Sequence, residues 1–183
     1  MEVMRTSIQR LRWVSRCALE ISRAWLPIWR HSSLAASWGA ALVWLHYLPH
    51  WKETPDASAK LGCFSTAPGI RSFIPNLLSE IIATFVLVFV IGALFSKSVS
   101  PSGPAAGLGA YLVGSLVWGI GLSLGGTTGY AINPARDLGP RIAHAILPVA
   151  GKGSSDWGYA PIPVIGPLLG GTLAGLLLRA LSI

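Results

Sequence analysis

Residues 125–141 decide how the rest of the chain is interpreted, and they read Gly-Gly-Thr-Thr-Gly-Tyr-Ala-Ile-Asn-Pro-Ala-Arg-Asp-Leu-Gly-Pro-Arg. This stretch concentrates glycine, proline and charged residues between two apolar runs, at Leu108–Leu124 and at 162–178. Backbone that is not helical at membrane depth is stable only where protein buries it or where it lines a water-filled cavity. The stretch is therefore predicted to line a pore.

The composition places the chain among membrane proteins. Of its 183 residues, 52% are hydrophobic and only 11% are charged, whereas a soluble domain has about 25% charged residues. Apolar runs at 73–96, 108–124 and 162–178 are each long enough to be interpreted as a membrane span. Cys17 and Cys63 have no metal-ligand spacing, and no residue pattern calls for a cofactor.

Asn133 and Pro134 predict the start of a helix. Asparagine is a strong N-cap, and proline is tolerated at the first helical position because its missing N–H would have no partner there. The helix is expected over 134–147, about 20 Å long, which is shorter than a hydrocarbon core. Its N-terminus would then lie at membrane depth, with the positive end of its dipole opposing cations.

The residues around this helix start suit a polar, uncharged solute. Gly125, Gly126 and Gly129 allow extended backbone that presents carbonyl acceptors, and Arg136 offers hydrogen-bond donors while it repels cations. Two other interpretations remain open at this point: Asn-Pro is also a common turn, and Arg136 could serve only to neutralise Asp137.

Glu80 lies near the start of the span at 73–96. A carboxylate inside a membrane is a candidate functional group, and this one could accept hydrogen bonds from an irregular loop. It could equally face lipid headgroups, since it is close to the end of the span. We read His46 and His144 as interfacial helix residues rather than as metal ligands.

The stretch from Gly129 to Arg141 resembles the second Asn-Pro-Ala box of the aquaporin superfamily, the major intrinsic proteins. Asp137, directly after the arginine, resembles the glycerol-facilitator branch. The resemblance covers 39–183 and implies an all-α membrane bundle that holds the end of span three, spans four to six and one re-entrant half-helix. The family's other Asn-Pro-Ala box and its filter aromatic on span two are not found in this sequence.

The resemblance also implies a role for particular residues. Pore and selectivity positions are Gly121, Tyr130, Asn133, Pro134, Ala135, Arg136 and Asp137. Among these, Arg136 matches the filter arginine, Tyr130 the filter aromatic and Gly121 the small filter residue. The carbonyl ladder matches Gly129, Tyr130 and Ala131, and Glu80 matches the buried glutamate that supports the pore loop.

The function implied by the resemblance is passive passage of glycerol, other small polyols and water across a membrane. Such a protein is not an enzyme, requires neither cofactor nor metal, binds no nucleic acid, and crosses the plasma membrane several times in a lipid bilayer. The intact family forms homotetramers. The main alternative is that this chain is an inactive fragment of such a channel.

Residues 1–38 differ in composition from the rest of the chain. They hold six arginines against Glu2 and Glu20, which is +4 of the net charge of +7, and four of the eight tryptophans. A basic, aromatic segment suits binding to a membrane surface or to nucleic acid, which is a second alternative. Read in another frame, however, codons for residues 7–14 can encode Asn-Pro-Ala, and those for 24–39 can encode an apolar span. We therefore expect a frameshift near residues 38–39 and treat 1–38 as a segment outside the family.

Overall fold

The computed structural model describes residues 28–183, and every regular element in that range is a helix. Helix α1 is described from residue 28 to residue 46. The others, in chain order, are α2 at His50–Glu53, α3 at Ala57–Gly62, α4 at Phe73–Phe95, α5 at Leu108–Leu124, α6 at Pro134–Ile146 and α7 at Pro161–Ala180. By length and composition, α4 and α7 are apolar enough to cross a membrane, and α5 is a shorter apolar helix.

Small residues on one face of α7 allow it to pack closely against α4. A Cβ atom added at Gly166 would lie 2.5 Å from the Cβ of Glu80, and one added at Gly170 would lie 3.1 Å from the Cβ of Thr84. Ala174 continues the same face one turn further and is fully buried. Close approach of backbones is the usual basis of helix association in membranes, and here it fixes the position of Glu80.

An aromatic cluster at one end of the bundle joins α1 and α2 to the end of α6. The rings of Trp51 and Phe64 are stacked with centroids 5.7 Å apart, and both side chains are buried with Ala143. The indole of Trp44 packs on this cluster and donates to the carbonyl oxygen of Pro148 at 3.3 Å. Burial of large aromatic rings favours folding, so the cluster anchors the C-terminal end of α6.

Helix α1 also contacts α6 closer to the start of that helix. Ser37 Oγ donates to the carbonyl oxygen of Gly139 at 3.0 Å. A Cβ at Gly139 would come within 2.6 Å of the carbonyl oxygen of Ser33. Only glycine allows this approach, so the described part of the basic segment, 28–38, lies against α6.

Candidate pore site

Helix α6 begins as its sequence predicts. The backbone of Asn133 is extended, and its side-chain oxygen accepts a hydrogen bond from the amide of Ala135 at 2.9 Å, with Pro134 as the first helical residue. The N-terminal amides of a helix otherwise have no partner within it. The 13 residues of α6 span about 20 Å, which makes it shorter than α4 and α7, with 23 and 20 residues.

The backbone before α6 is strained. Gly129, Tyr130 and Ile132 all have positive φ, at 76°, 40° and 45°. Glycine adopts this conformation freely, but a β-branched residue such as isoleucine does so only when its surroundings enforce it. Each strained non-glycine residue costs about 1–3 kcal/mol, so other contacts must hold this segment in place.

Glu80 supplies those contacts. Its fully buried carboxylate accepts from the amide of Ala131 at 3.0 Å and from the amide of Ile132 at 2.8 Å. The hydroxyl of Thr128 donates to it at 2.7 Å. Hydrogen bonds to a charged acceptor are about twice as strong as those between neutral groups. Glu80 therefore faces the irregular loop, and none of its recorded partners is a lipid-facing group or a cation.

Tyr130 and Gly121 lie directly against each other. A Cβ at Gly121 would be 2.9 Å from the Cζ atom of the Tyr130 ring, so the glycine makes room for the tyrosine. Gly125 receives the same ring one turn further along the chain. The structure thus brings two of the predicted filter residues together, with the aromatic ring covering the surface of α5.

A cleft of about 440 Å³ opens beside the start of α6. Its lining includes Asn133, Ala135 and Arg136 from the loop and helix, together with residues of α1 and with Cys63 and Phe64. Asn133 and Arg136 are exposed to it. Within the described range, Arg136 has no hydrogen-bond partner, so its guanidinium is available to water or to a solute.

Asp137 lies on the opposite side of α6, away from the cleft. Its carboxylate is fully buried and accepts from the amide and the hydroxyl of Thr66 at 2.8 and 2.6 Å. It also forms a buried ion pair with Arg141, one turn along α6, at 2.7 Å. The pairing of Asp137 is therefore with Arg141 and not with Arg136.

Arg141 was not among the residues singled out from the sequence, although it is the most fully bonded side chain of the site. Its five N–H donors all have acceptors: both oxygens of Asp137 and the carbonyl oxygens of Thr66, Ser155 and Asp156. Its spacing of four residues from Asp137 is typical of an ion pair on one helix face and could have indicated it. The carbonyl partners lie far away in sequence and give no local signal.

Two further residues extend this buried polar face. His144 is fully buried rather than interfacial; its Nδ1 lies 2.8 Å from the hydroxyl of Ser155 and its ring meets Phe64 edge-on. Tyr159, in the loop before α7, is buried beside Arg141 with the guanidinium carbon 5.9 Å from its ring centroid. Burial raises the pKa of Tyr159, and the carboxylates of Glu80 and Asp137 raise it further.

The solved X-ray structure of the aquaglyceroporin from Plasmodium falciparum has the same fold. The match has a TM-score of 0.68 at 24% sequence identity, and it covers 80% of this chain and 59% of that chain. Together with the short re-entrant α6 and its polar cleft, this similarity defines the chain as an aquaporin-like helical membrane bundle, which confirms the predicted fold class.

The sequence model of the family described as Major intrinsic protein matches residues 14–178, and the chain belongs to this family. It is 59% identical over 143 residues to glycerol uptake facilitator protein 3 of Lactiplantibacillus plantarum, covering 78% of this chain and 58% of that protein. It is 58% identical over 142 residues to the glycerol uptake facilitator protein of Bacillus subtilis, covering 78% and 50%. The chain spans about half the length of these relatives.

The interpretation of 1–38 as a segment outside the family stays a prediction. The family match begins at residue 14, and residues 28–38 are helical and packed on α6. Residues 1–27, which include the predicted hidden Asn-Pro-Ala segment at 7–14, lie outside the described residues. The coding DNA tests the hypothesis directly, because a closed alternative frame, or one without Asn-Pro-Ala codons, excludes it.

Proposed function

We propose that this chain forms a channel for the passive passage of glycerol and other small uncharged solutes, with some passage of water. The observation that carries the proposal is the cleft beside α6, where Asn133 and Arg136 are exposed at the positive end of a half-helix. Both side chains offer donors to hydroxyl oxygens, and the charge and the dipole oppose cations. The similarity to glycerol uptake facilitator proteins supports this choice of solute.

Within this proposal, each side of the site has its own role. Pro134 and Ala135 complete the helix start at which Asn133 presents its amide. The backbone of Gly129, Tyr130 and Ala131 forms a ladder of carbonyl acceptors, and Tyr130 packed on Gly121 sets the width beside it. Glu80 holds the ladder in its strained conformation. Asp137 contributes indirectly, because its bonds to Thr66 and Arg141 fix the turn of α6 that carries Arg136.

Glycerol permeability in proteoliposomes tests the proposal. Vesicles that contain the protein are expected to reswell in glycerol faster than empty vesicles and to exclude a cation such as methylammonium. A rate equal to that of empty vesicles would instead favour an inactive fragment of such a channel. A DNA mobility-shift assay on the same protein tests the basic segment as a nucleic-acid binder.

The location and the assembly are proposals of the same kind. The two helices that pass the length and composition test for spanning a membrane, and the family itself, support an integral membrane protein. We propose the plasma membrane and a homotetramer. Membrane fractionation tests the first proposal, and native mass spectrometry from detergent tests the second, with a monomer alone as the contrary result.

A further inference from the structure

A lysine binds the carbonyl groups at the end of α6 that lies away from the cleft. Nζ of Lys152 donates to the carbonyl oxygens of His144, Ala145 and Leu147, each at 2.8 Å. An ammonium group has three N–H donors, and all three are used here. The last carbonyls of a helix have no partner within the helix and carry the negative end of its dipole. Lys152 therefore acts as the C-terminal cap of α6.

A second lysine binds the turn that follows. Lys60, on α3, is only 3% exposed, and its Nζ donates to the carbonyl oxygen of Ala150 at 2.5 Å, with that of Gly151 at 3.4 Å. Five carbonyl groups between residues 144 and 151 thus surround two ammonium groups. Neither ammonium forms an ion pair within the described range. Lys60 is buried among these carbonyl groups, whereas Lys152 is partly exposed.

The burial of Lys60 without an ion pair in the described range is unusual for lysine. Lysine side chains are almost never fully buried unless they are paired, because removing the charge from water is costly. The exposed Lys52 on α2 shows the ordinary behaviour, since it has no recorded side-chain hydrogen bond among the described residues. The contrast indicates that Lys60 and Lys152 serve the loops that they bind rather than solubility.

We propose that Lys152, supported by Lys60, is a positioning residue that fixes α6 along its axis by acting as a tethered ammonium ion in a cage of three carbonyls. Helix α6 is only about 20 Å long. Fixing the position of its C-terminal end therefore also fixes the position of Asn133 and Arg136 at its N-terminal end. The expected effect on solute passage rests on the proposed function, whereas the cage itself does not.

The cage is tested by removing the side chain of Lys152 and adding a free alkylammonium ion in solution. Lys152→Ala is expected to lower the Tm of the detergent-purified protein by roughly 10 °C, through the loss of three charge-assisted hydrogen bonds. Propylammonium should restore much of this loss, whereas tetramethylammonium, which has no N–H donor, should not. Lys52→Ala is the matched control and should respond to neither amine.

Several results would overturn the cage. They are a Tm for Lys152→Ala equal to that of Lys52→Ala, no recovery with propylammonium, or equal recovery with both amines. If Lys152→Ala yields too little folded protein, the folded yield with and without propylammonium is compared by size-exclusion chromatography, and an unchanged yield has the same meaning.

The positioning role needs a readout at the other end of α6. A variant that only reduces the number of folded channels lowers glycerol and water permeability by the same factor, whereas a displaced α6 changes their ratio.

Maleimide labelling of Cys63, which lines the cleft with Arg136, gives a second measure in a Cys17→Ser background. Its rate should differ between wild type and folded Lys152→Ala. An unchanged labelling rate overturns positioning, and absent wild-type flux overturns only the proposed function.

Discussion

Arg136 and Arg141 lie five residues apart on the same short helix and have opposite surroundings. Arg136 is exposed on the cleft and has no hydrogen-bond partner in the described part of the chain. Arg141 is fully buried, and every one of its donors has an acceptor. The sequence drew attention to the first arginine, but the structure gives the larger stabilising role to the second.

The difference shows how a helix with charged residues remains stable inside a membrane bundle. A buried charge requires partners for each polar atom, and the loops around Thr66 and Ser155 provide them on one face. The other face keeps its donors free because a cleft admits water or solute there. The buried face therefore stabilises the helix, and the exposed face is the one to which we assign the proposed solute selection.

Arg141→Met should lower the free energy of unfolding more than any other substitution considered for the two faces of α6. It removes the partner of Asp137 and leaves a fully buried carboxylate without its counter-charge, which costs about 3–5 kcal/mol of unfolding free energy. Denaturant or thermal unfolding in detergent measures the loss. The double variant Asp137→Leu/Arg141→Met removes the stranded charge and should recover part of the stability. A single variant as stable as wild type would show that the buried pair contributes little.

Glu80→Gln should have the next largest effect on stability, because Glu80 holds the loop that precedes α6. The amide keeps one acceptor but places an NH₂ group against a backbone N–H, so at least one charge-assisted bond is lost, at about 1.5–3 kcal/mol. Hydrogen exchange at Ala131 and Ile132 should rise more than exchange in α5. Equal exchange in both regions would argue against a local role for the carboxylate.

Gly166→Ala tests the packing that places Glu80. The added methyl would lie 2.5 Å from the Cβ of Glu80, and overpacking of this kind costs about 1–3 kcal/mol. Gly175→Ala, on the same helix with open space around its Cβ position, is the matched control and should be neutral or stabilising, as alanine favours helix. If the two variants unfold at the same temperature, the close approach of α4 and α7 is not required.

Arg136→Met should have the smallest effect on stability, within about 0.5 kcal/mol, because the side chain is exposed and has no partner among residues 28–183. Its effect should instead fall on solute selection, with methylammonium entering liposomes faster relative to glycerol than in wild type. A loss of stability as large as that of Arg141→Met would remove the distinction between the two faces of α6.

Much of the fold follows from the sequence. Each helix from α4 to α7 begins and ends within two residues of its predicted range, because apolar runs and the Asn133–Pro134 start are local signals. The described part of α1 was not predicted as one helix: residues 28–38 are helical and continue into the apolar segment after Gly39. Their arginine and tryptophan content gave no clear helical pattern in the sequence. The contacts of Ser33 and Ser37 with Gly139 place this helix against α6.

The sequence by itself determined the family, the helical bundle and the half-helix start, since these depend on hydrophobic runs and on a short motif. Only the tertiary structure decided which charged side chains are exposed and which are buried. Glu80 precedes Thr128 by 48 residues and Ile132 by 52 residues, yet it contacts both in the folded chain, and Arg141 finds its carbonyl acceptors in two loops outside α6. Partners of this kind are set by three-dimensional packing and leave no local pattern in the chain.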